Sequence, residues 1–294
     1  MKKTLLALLL AVVVSTSLVG CGTAKPEGDN TAADNGKTTE AVAKTADNGY
    51  LPVDYPVVKT TAVAGDYVLA PSRTSVDEAF TKGLDQTTMT FYAAKMVTPG
   101  EAASVLEDLT GTKGTIPNSL IIPLKKGETA DKGDTLLTWW QSGSGLMKAY
   151  VVEAGATPKI QYLDDFVTDQ ETLLADSFIK LTGELEPGVS VAAKDVEYGS
   201  FDHAVVANVA GDKVVIIGFA DSVEVVDKAN LTVLPLNPEV KVGDTVMAPI
   251  ISSYDPVVVK EVKADIGQII GEYTWVDEVK NEPFMFGEIV KELK

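Results

Sequence analysis

One cysteine, one histidine and a single arginine are all that 294 residues provide, and each shortage removes a class of function. Cys21, alone, cannot close an internal disulfide. His203 would have to serve any imidazole chemistry by itself, which counts against hydrolase triads and histidine-based metal sites. Phosphate polymers are bound through Lys and Arg. With Arg73 the sole arginine and a net charge of -17 at pH 7, no nucleic-acid partner is expected. Past the first twenty residues, no stretch approaches the roughly 18 apolar residues of a spanning helix. No phosphate-binding glycine loop leads into a helix pattern, so no cofactor is expected. Ser142-Gly143-Ser144-Gly145 lacks the spacing of a nucleophile elbow and reads as a hairpin loop. Hydrophobic residues still make up 45% of the chain, enough for a folded core.

What is present begins with an address. Met1-Lys2-Lys3 is basic, Leu5 to Val14 is unbroken apolar, and Leu18-Val19-Gly20-Cys21 follows. The basic-apolar-small order is that of a secretory signal. Its end resembles a bacterial lipobox. That resemblance implies cleavage before Cys21, acylation of Cys21, and membrane lipid as a partner. The implied location is the cell envelope: the outer membrane in a Gram-negative cell, or the outer face of the cell membrane in a Gram-positive one. Residues 22–49 are mostly Thr, Ala, Asp, Asn, Gly and Lys without an apolar period, the composition of a disordered tether.

The rest of the chain repeats itself. Glycines at 65, 133, 188 and 243 each open a short apolar run, most clearly in Gly65-Asp66-Tyr67-Val68-Leu69-Ala70 and Gly243-Asp244-Thr245-Val246-Met247-Ala248. The last three openings are evenly spaced, and the first unit carries an insertion near Thr74 to Thr90. Within the unit from Gly188, turn signals at Tyr198-Gly199, Gly211-Asp212 and Asp227 to Asn230 separate five short runs, the mark of an all-β fold. Each third strand is expected to end on an Asp (Asp108, Asp164, Asp221, Asp277), two places after Leu106, Tyr162, Phe219 or Trp275. Closing each sheet into a small barrel would remove its exposed edges. Leu120 to Leu124 before Gly133 echoes Thr232 to Leu236 before Gly243, which points to a duplicated pair.

In their order, these motifs resemble Tudor-type small barrels and their Agenet relatives, over about residues 64 to 293. The resemblance implies five-stranded barrels, and in many members an aromatic cage for methylated Lys or Arg, held by cation–π attraction. The cage positions fall on Trp140, Met147 and Tyr162 in the second unit and on Asp195, Asp202 and Phe219 in the third. In the fourth they fall on Ile250, a position near Pro256, and Trp275. No unit holds a full set, so methyl-lysine reading is not expected.

The sequence therefore predicts an all-β chain of four tandem five-stranded Tudor-like barrels after a disordered tether. The signal peptide occupies 1–20, and lipidated Cys21 with the tether 21–49. The barrels occupy 50–126, with the insertion, then 127–186, 187–238 and 239–294. The expected function is non-catalytic binding or scaffolding of an envelope protein or polymer. The candidate surface comprises Trp140, Met147, Tyr162, Asp164, Phe219, Asp221, Trp275 and Asp277. The alternatives are a structural spacer without a ligand pocket and a hydrolase using carboxylate pairs such as Glu107-Asp108, Asp164-Asp165 or Asp277-Glu278. Ser200 to His203 is not expected to catalyse, because Asp202 and His203, adjacent on a strand, point to opposite faces.

Overall fold

Runs of β-branched and aliphatic residues, each cut by a Gly- or Asp-containing turn, form nineteen strands among the residues that the computed structural model describes, 56–82, 88–163 and 170–294. The expected signal peptide, Cys21, the tether and Asp164 lie outside them. The first unit holds β1 (Tyr67–Ala70), β2 (Tyr92–Thr98), β3 (Ala103–Asp108), β4 (Lys113–Pro117) and β5 (Ile122–Pro123). The second holds β6 (Thr135–Trp139), β7 (Leu146–Glu153), β8 (Lys159–Tyr162), β9 (Gln170–Thr172) and β10 (Ile179–Lys180). The third holds β11 (Ser190–Lys194), β12 (Phe201–Ala210), β13 (Lys213–Ile217), β14 (Val223–Asp227) and β15 (Leu231–Val233). The fourth holds β16 (Thr245–Ile250), β17 (Ser253–Lys263), β18 (Gln268–Trp275) and β19 (Glu278–Met285). Inside the insertion of the first unit, Arg73–Lys82 forms the helix α1, which the strand pattern did not anticipate.

Every pairing between these strands is antiparallel. The first three units share one order, in which the fifth strand lies beside the first and the second, third and fourth follow on its other side. The fourth unit keeps the order of its first four strands, and a bridge from Met247 to Val290 stands where a fifth would lie. In all four, the second strand carries a bulge, at Met96/Thr98, Val151/Glu153, Val206/Asn208 and Val259/Glu261. A bulge increases local twist and bends the strand, which curls each sheet.

The sheets curl but stay open. Among the described residues, no pairing joins a fourth strand to a fifth. The fifth strands explain this: β5 and β10 have 2 residues each and β15 has 3, too few to carry a second ladder. The third and fourth units instead merge into one nine-stranded sheet through the Asp202–Ser253 pair. The edge strand β4 is shielded by α1, whose Arg73 donates from Nη1 to the Thr115 carbonyl at 2.8 Å.

The four opening glycines adopt one conformation, with φ of 90°, 94°, 93° and 91° at Gly65, Gly133, Gly188 and Gly243. Only glycine enters that region without strain. Each donates its N–H to the second strand of its own unit, at Met96, Val151, Val206 and Val259, over 2.7 to 2.9 Å. Where Asp follows, its carboxylate accepts the backbone N–H three residues back: Asp66 from Val63, Asp134 from Asp131, Asp244 from Lys241. The Gly-Asp motif is thus a turn that locks the first strand to the second.

The second, third and fourth units each have a small core of their own, and the first three also share one. One apolar cluster unites Val68, Leu69 and Met96 of the first with Leu137 and Trp139 of the second and Val215 and Ile217 of the third. The Trp139 and Tyr67 rings stand 5.1 Å apart across the first boundary. β1 is buried on both faces, which explains its continuous apolar run. At the next boundary a Cβ on Gly188 would meet Leu137 Cδ2 at 2.7 Å. Gly188→Ala therefore combines a left-handed backbone with a clash. It is expected to cost about 2–3 kcal/mol in urea unfolding, whereas Gly211→Ala, at φ 64° with open space around it, should cost less.

Candidate functional site

The residues predicted as one surface occupy different environments. Trp140 is 37% exposed and lies over Gly143, where a Cβ would meet its ring at 2.3 Å. Met147 packs against the core of the second unit. Tyr162 is 2% exposed, and its hydroxyl accepts the Gln141 N–H at 3.0 Å and lies 2.8 Å from Glu171 Oε2. Burial, with the Glu171 carboxylate beside it, pushes the phenol well above its ordinary pKa. This ring is a packed support and not an open cage wall. Phe219 is 60% exposed and Trp275 43%. Among the described residues, no ring contact joins any two of Trp140, Tyr162, Phe219 and Trp275.

The recurring Asp is turn chemistry. β13 stops at Ile217, and Phe219–Asp221 forms a 3-10 turn beyond it, so this motif does not lie within the third strand as expected. Asp221, with φ 56°, accepts Met89 N–H on its carbonyl at 2.9 Å and the Thr90 hydroxyl on its carboxylate at 2.5 Å, tying the third unit to the first. Asp277, with φ 66°, sits in the turn after Trp275. Asp108 folds over its own turn and accepts the Thr110 hydroxyl and the Thr110 and Thr112 N–H groups. The Thr110 hydroxyl above all, aided by the backbone N–H groups, holds that carboxyl below the usual range.

Two openings lie at corresponding ends of the first and third units, where the first strand leaves its sheet and the second enters. The one in the first unit is a mostly apolar groove of 370 Å³, lined by Ala70, Pro71, Tyr92, Leu106, Leu109 and Ile116 among others. Its charged rim is already engaged. Arg73 holds Asp77 from Nε at 3.0 Å as well as the Thr115 carbonyl, Lys113 pairs with Glu107 at 3.3 Å, and Asp108 serves its turn. The opening in the third unit, 410 Å³, is more polar and includes Lys194, Asp202, Phe219 and Glu224 in its lining.

A third constellation was not visible in the sequence. Lys148 on β7, Ser190 on β11, His203 on β12, Tyr254 on β17 and Glu288 in the turn after β19 converge from the second, third and fourth units. Lys148 Nζ, on a side chain 9% exposed, donates to Ser190 Oγ and to Glu288 Oε1, the latter at 3.1 Å. His203 Nε2 lies 3.0 Å from Ser190 Oγ and 4.0 Å from Glu288 Oε1. The Tyr254 ring meets the imidazole edge-on at 6.4 Å, and its buried hydroxyl has no hydrogen-bond partner among the described residues. Burial pulls the His203 pKa down to about 4, against the smaller pull of Glu288. Burial pushes Glu288 up, but the charges of Lys148 and His203 and the Lys148 hydrogen bond outweigh it, and its pKa is lowered. Asp202, the sequence neighbour of His203, instead accepts the Ser253 hydroxyl at 2.5 Å. The only signal in the sequence was that His203 is the sole histidine, since its partners are scattered over three units. Compared with known proteins, the chain matches no family model and no curated relative.

Proposed function

We propose that this chain is a lipid-anchored envelope protein in which four Tudor-like units, each a curled open sheet, form a non-catalytic binding or scaffolding module. The Tudor-like reading is supported by the shared strand order, the common bulge and the common conformation of the four opening glycines. The 370 Å³ groove of the first unit carries the binding reading. Every charged group on its rim is held within the protein, so it offers apolar surface and one ring, Tyr92. That chemistry suits an uncharged apolar side chain of a partner protein. A methylated cation would need several ring faces.

The test places a photo-crosslinking residue at Leu109, which lines the groove and is 55% exposed, in cells that make the anchored protein. One dominant adduct is expected. Ala94 lines the same groove, so Ala94→Trp in the crosslinking protein should lower adduct yield about tenfold by occupying it. Val63→Glu, at an exposed position away from the groove, should leave the yield unchanged. Equal yields from all three proteins would remove the groove from the proposal. Cys21→Ala is expected to move the protein from the membrane to the soluble fraction on centrifugation, and a variant that still sediments with membranes would remove the anchor.

A structural spacer is the second reading. The apolar cluster shared by three units favours it, because units that share a core cannot swing independently. In that case the groove crosslinker would yield no adduct.

A further inference from the structure

The junction of Lys148, Ser190, His203, Tyr254 and Glu288 has a feature that a purely structural ion pair does not need. Its histidine stands at the end of a hydrogen-bond chain that begins at a lysine and suits a neutral imidazole. Lys148 can only donate, and it donates to the Ser190 oxygen. The single hydroxyl hydrogen of Ser190 is then free to point at His203 Nε2, 3.0 Å away, which accepts it when the neutral imidazole carries its proton on Nδ1. An acceptor nitrogen is an unprotonated nitrogen. Adding a proton there sets N–H against O–H along the same line. It also places a second cation beside the one carboxylate that already balances Lys148.

We propose that this junction is an acid-operated latch. With His203 neutral, the Lys148–Ser190–His203 chain and the Lys148–Glu288 pair hold the fourth unit against the second and third; when His203 gains a proton, that contact loosens.

The placement suits a switch. The His203 side chain is 21% exposed, so protons reach it, while Lys148 is 9% exposed and Ser190 only 1%, so the rest of the chain of bonds is shielded. The titratable groups facing the imidazole are Lys148 from β7, Tyr254 from β17 and Glu288 from the turn after β19. Tyr254 stays neutral, because burial and then Glu288 push its pKa up. The elements joined make few other backbone contacts: Asp202–Ser253 is one strand pair, and His203 N–H donates to the Ser252 carbonyl at 2.8 Å. Opening here would strip Tyr254 and Glu288 from the third unit without unpairing β16 to β19.

The sign follows from linkage. A histidine whose folded pKa lies below its unfolded value contributes stability that is present above the unfolded value and lost as pH falls from it toward the folded value. For His203 that window runs from about 6.5 down to about 4. Glu288, also lowered, loses its contribution in the same direction, as pH falls through its folded pKa. Both groups release the latch in acid.

His203 is the only histidine, so one imidazole resonance reports the site in the full chain. Its NMR titration midpoint is expected near pH 4, and a midpoint at the ordinary value near 6.5 would overturn the latch. Amide exchange, corrected for the intrinsic effect of pH, is the second readout. Between pH 7 and pH 4.5, exchange in 250–256 and 286–293 should rise on the order of fifty-fold in the unaltered protein. His203→Gln and His203→Asn cannot take up the proton, so either should lose that rise. Unchanged exchange in the unaltered protein, or a full acid response in a folded variant, would also overturn the latch. Should neither variant fold, the titration decides alone.

Discussion

Glu288→Ala is expected to cost about 3–5 kcal/mol of folding stability at pH 7, the usual loss when one partner of a buried ion pair is removed. The Lys148 ammonium would keep only the Ser190 hydroxyl, in a site where it is 9% exposed. The effect of Glu288→Gln should be smaller, since an amide oxygen can still accept from Lys148. Converting both residues together, Lys148→Met with Glu288→Leu, should recover much of the loss, because well-packed apolar pairs often replace buried ion pairs without penalty. Adding the single variants Lys148→Met and Glu288→Leu closes a double-mutant cycle, and urea unfolding followed by tryptophan fluorescence then gives the coupling energy. A loss under 1 kcal/mol for Glu288→Ala would mean that water reaches the pair and screens it as at the surface. The exposed pair Lys59–Glu101, at 3.2 Å with side chains 74% and 84% exposed, is the natural contrast and should contribute little.

The strands were legible because their signals are local. The run at Phe201–Ala210, the Gly211-Asp212 turn and Lys213–Ile217 fall where alternation and turn residues put them. So do the glycine openings, because a φ near 90° leaves glycine little competition. Helix α1 was missed because it lies in an insertion whose apolar residues are few: only Val76 and Ala79 of its ten residues are buried. Barrel closure was over-read, since the pattern shows that a fifth strand exists but not that it is 2 or 3 residues long. The aromatic positions misled for a different reason. Tyr162, Phe219 and Trp275 look equivalent along the chain, yet one is 2% exposed and another 60%. Burial there is set by which loops of a unit fold over the ring, as when Glu171 and Gln141 enclose Tyr162. The junction was out of reach on the same grounds. Lys148 and Glu288 are 140 residues apart, and no motif links them.

Asn118→Ala should rank with Glu288→Ala, at about 3–4 kcal/mol, although Asn118 drew no notice in the sequence. It is fully buried in the 3-10 turn before β5. Its amide nitrogen donates to the Gly100 carbonyl at 2.9 Å and the Val58 carbonyl at 3.1 Å, and its oxygen accepts the Ser104 hydroxyl at 2.6 Å. Ser104, 1% exposed, in turn accepts Gly100 N–H at 3.1 Å. The Asn118 carbonyl receives Asn208 Nδ2 from the third unit at 3.2 Å. One side chain thus fixes the lead-in segment, the turn before β3 and, through its backbone, the seat of β12. Truncation orphans a buried hydroxyl and two carbonyls at once, and each unpaired polar group costs about 1–3 kcal/mol. Leu at this position would fare no better, because it fills the space without meeting the donors and acceptors. Ser104→Ala, which removes two bonds but leaves the amide nitrogen of Asn118 engaged, should cost about 1–2 kcal/mol. Thermal unfolding of Asn118→Ala, Ser104→Ala and the double variant separates the two residues. If they act as one network, the double variant should lose less than the sum of the single losses. Strict additivity would mean that Asn118 and Ser104 stabilise the first unit independently.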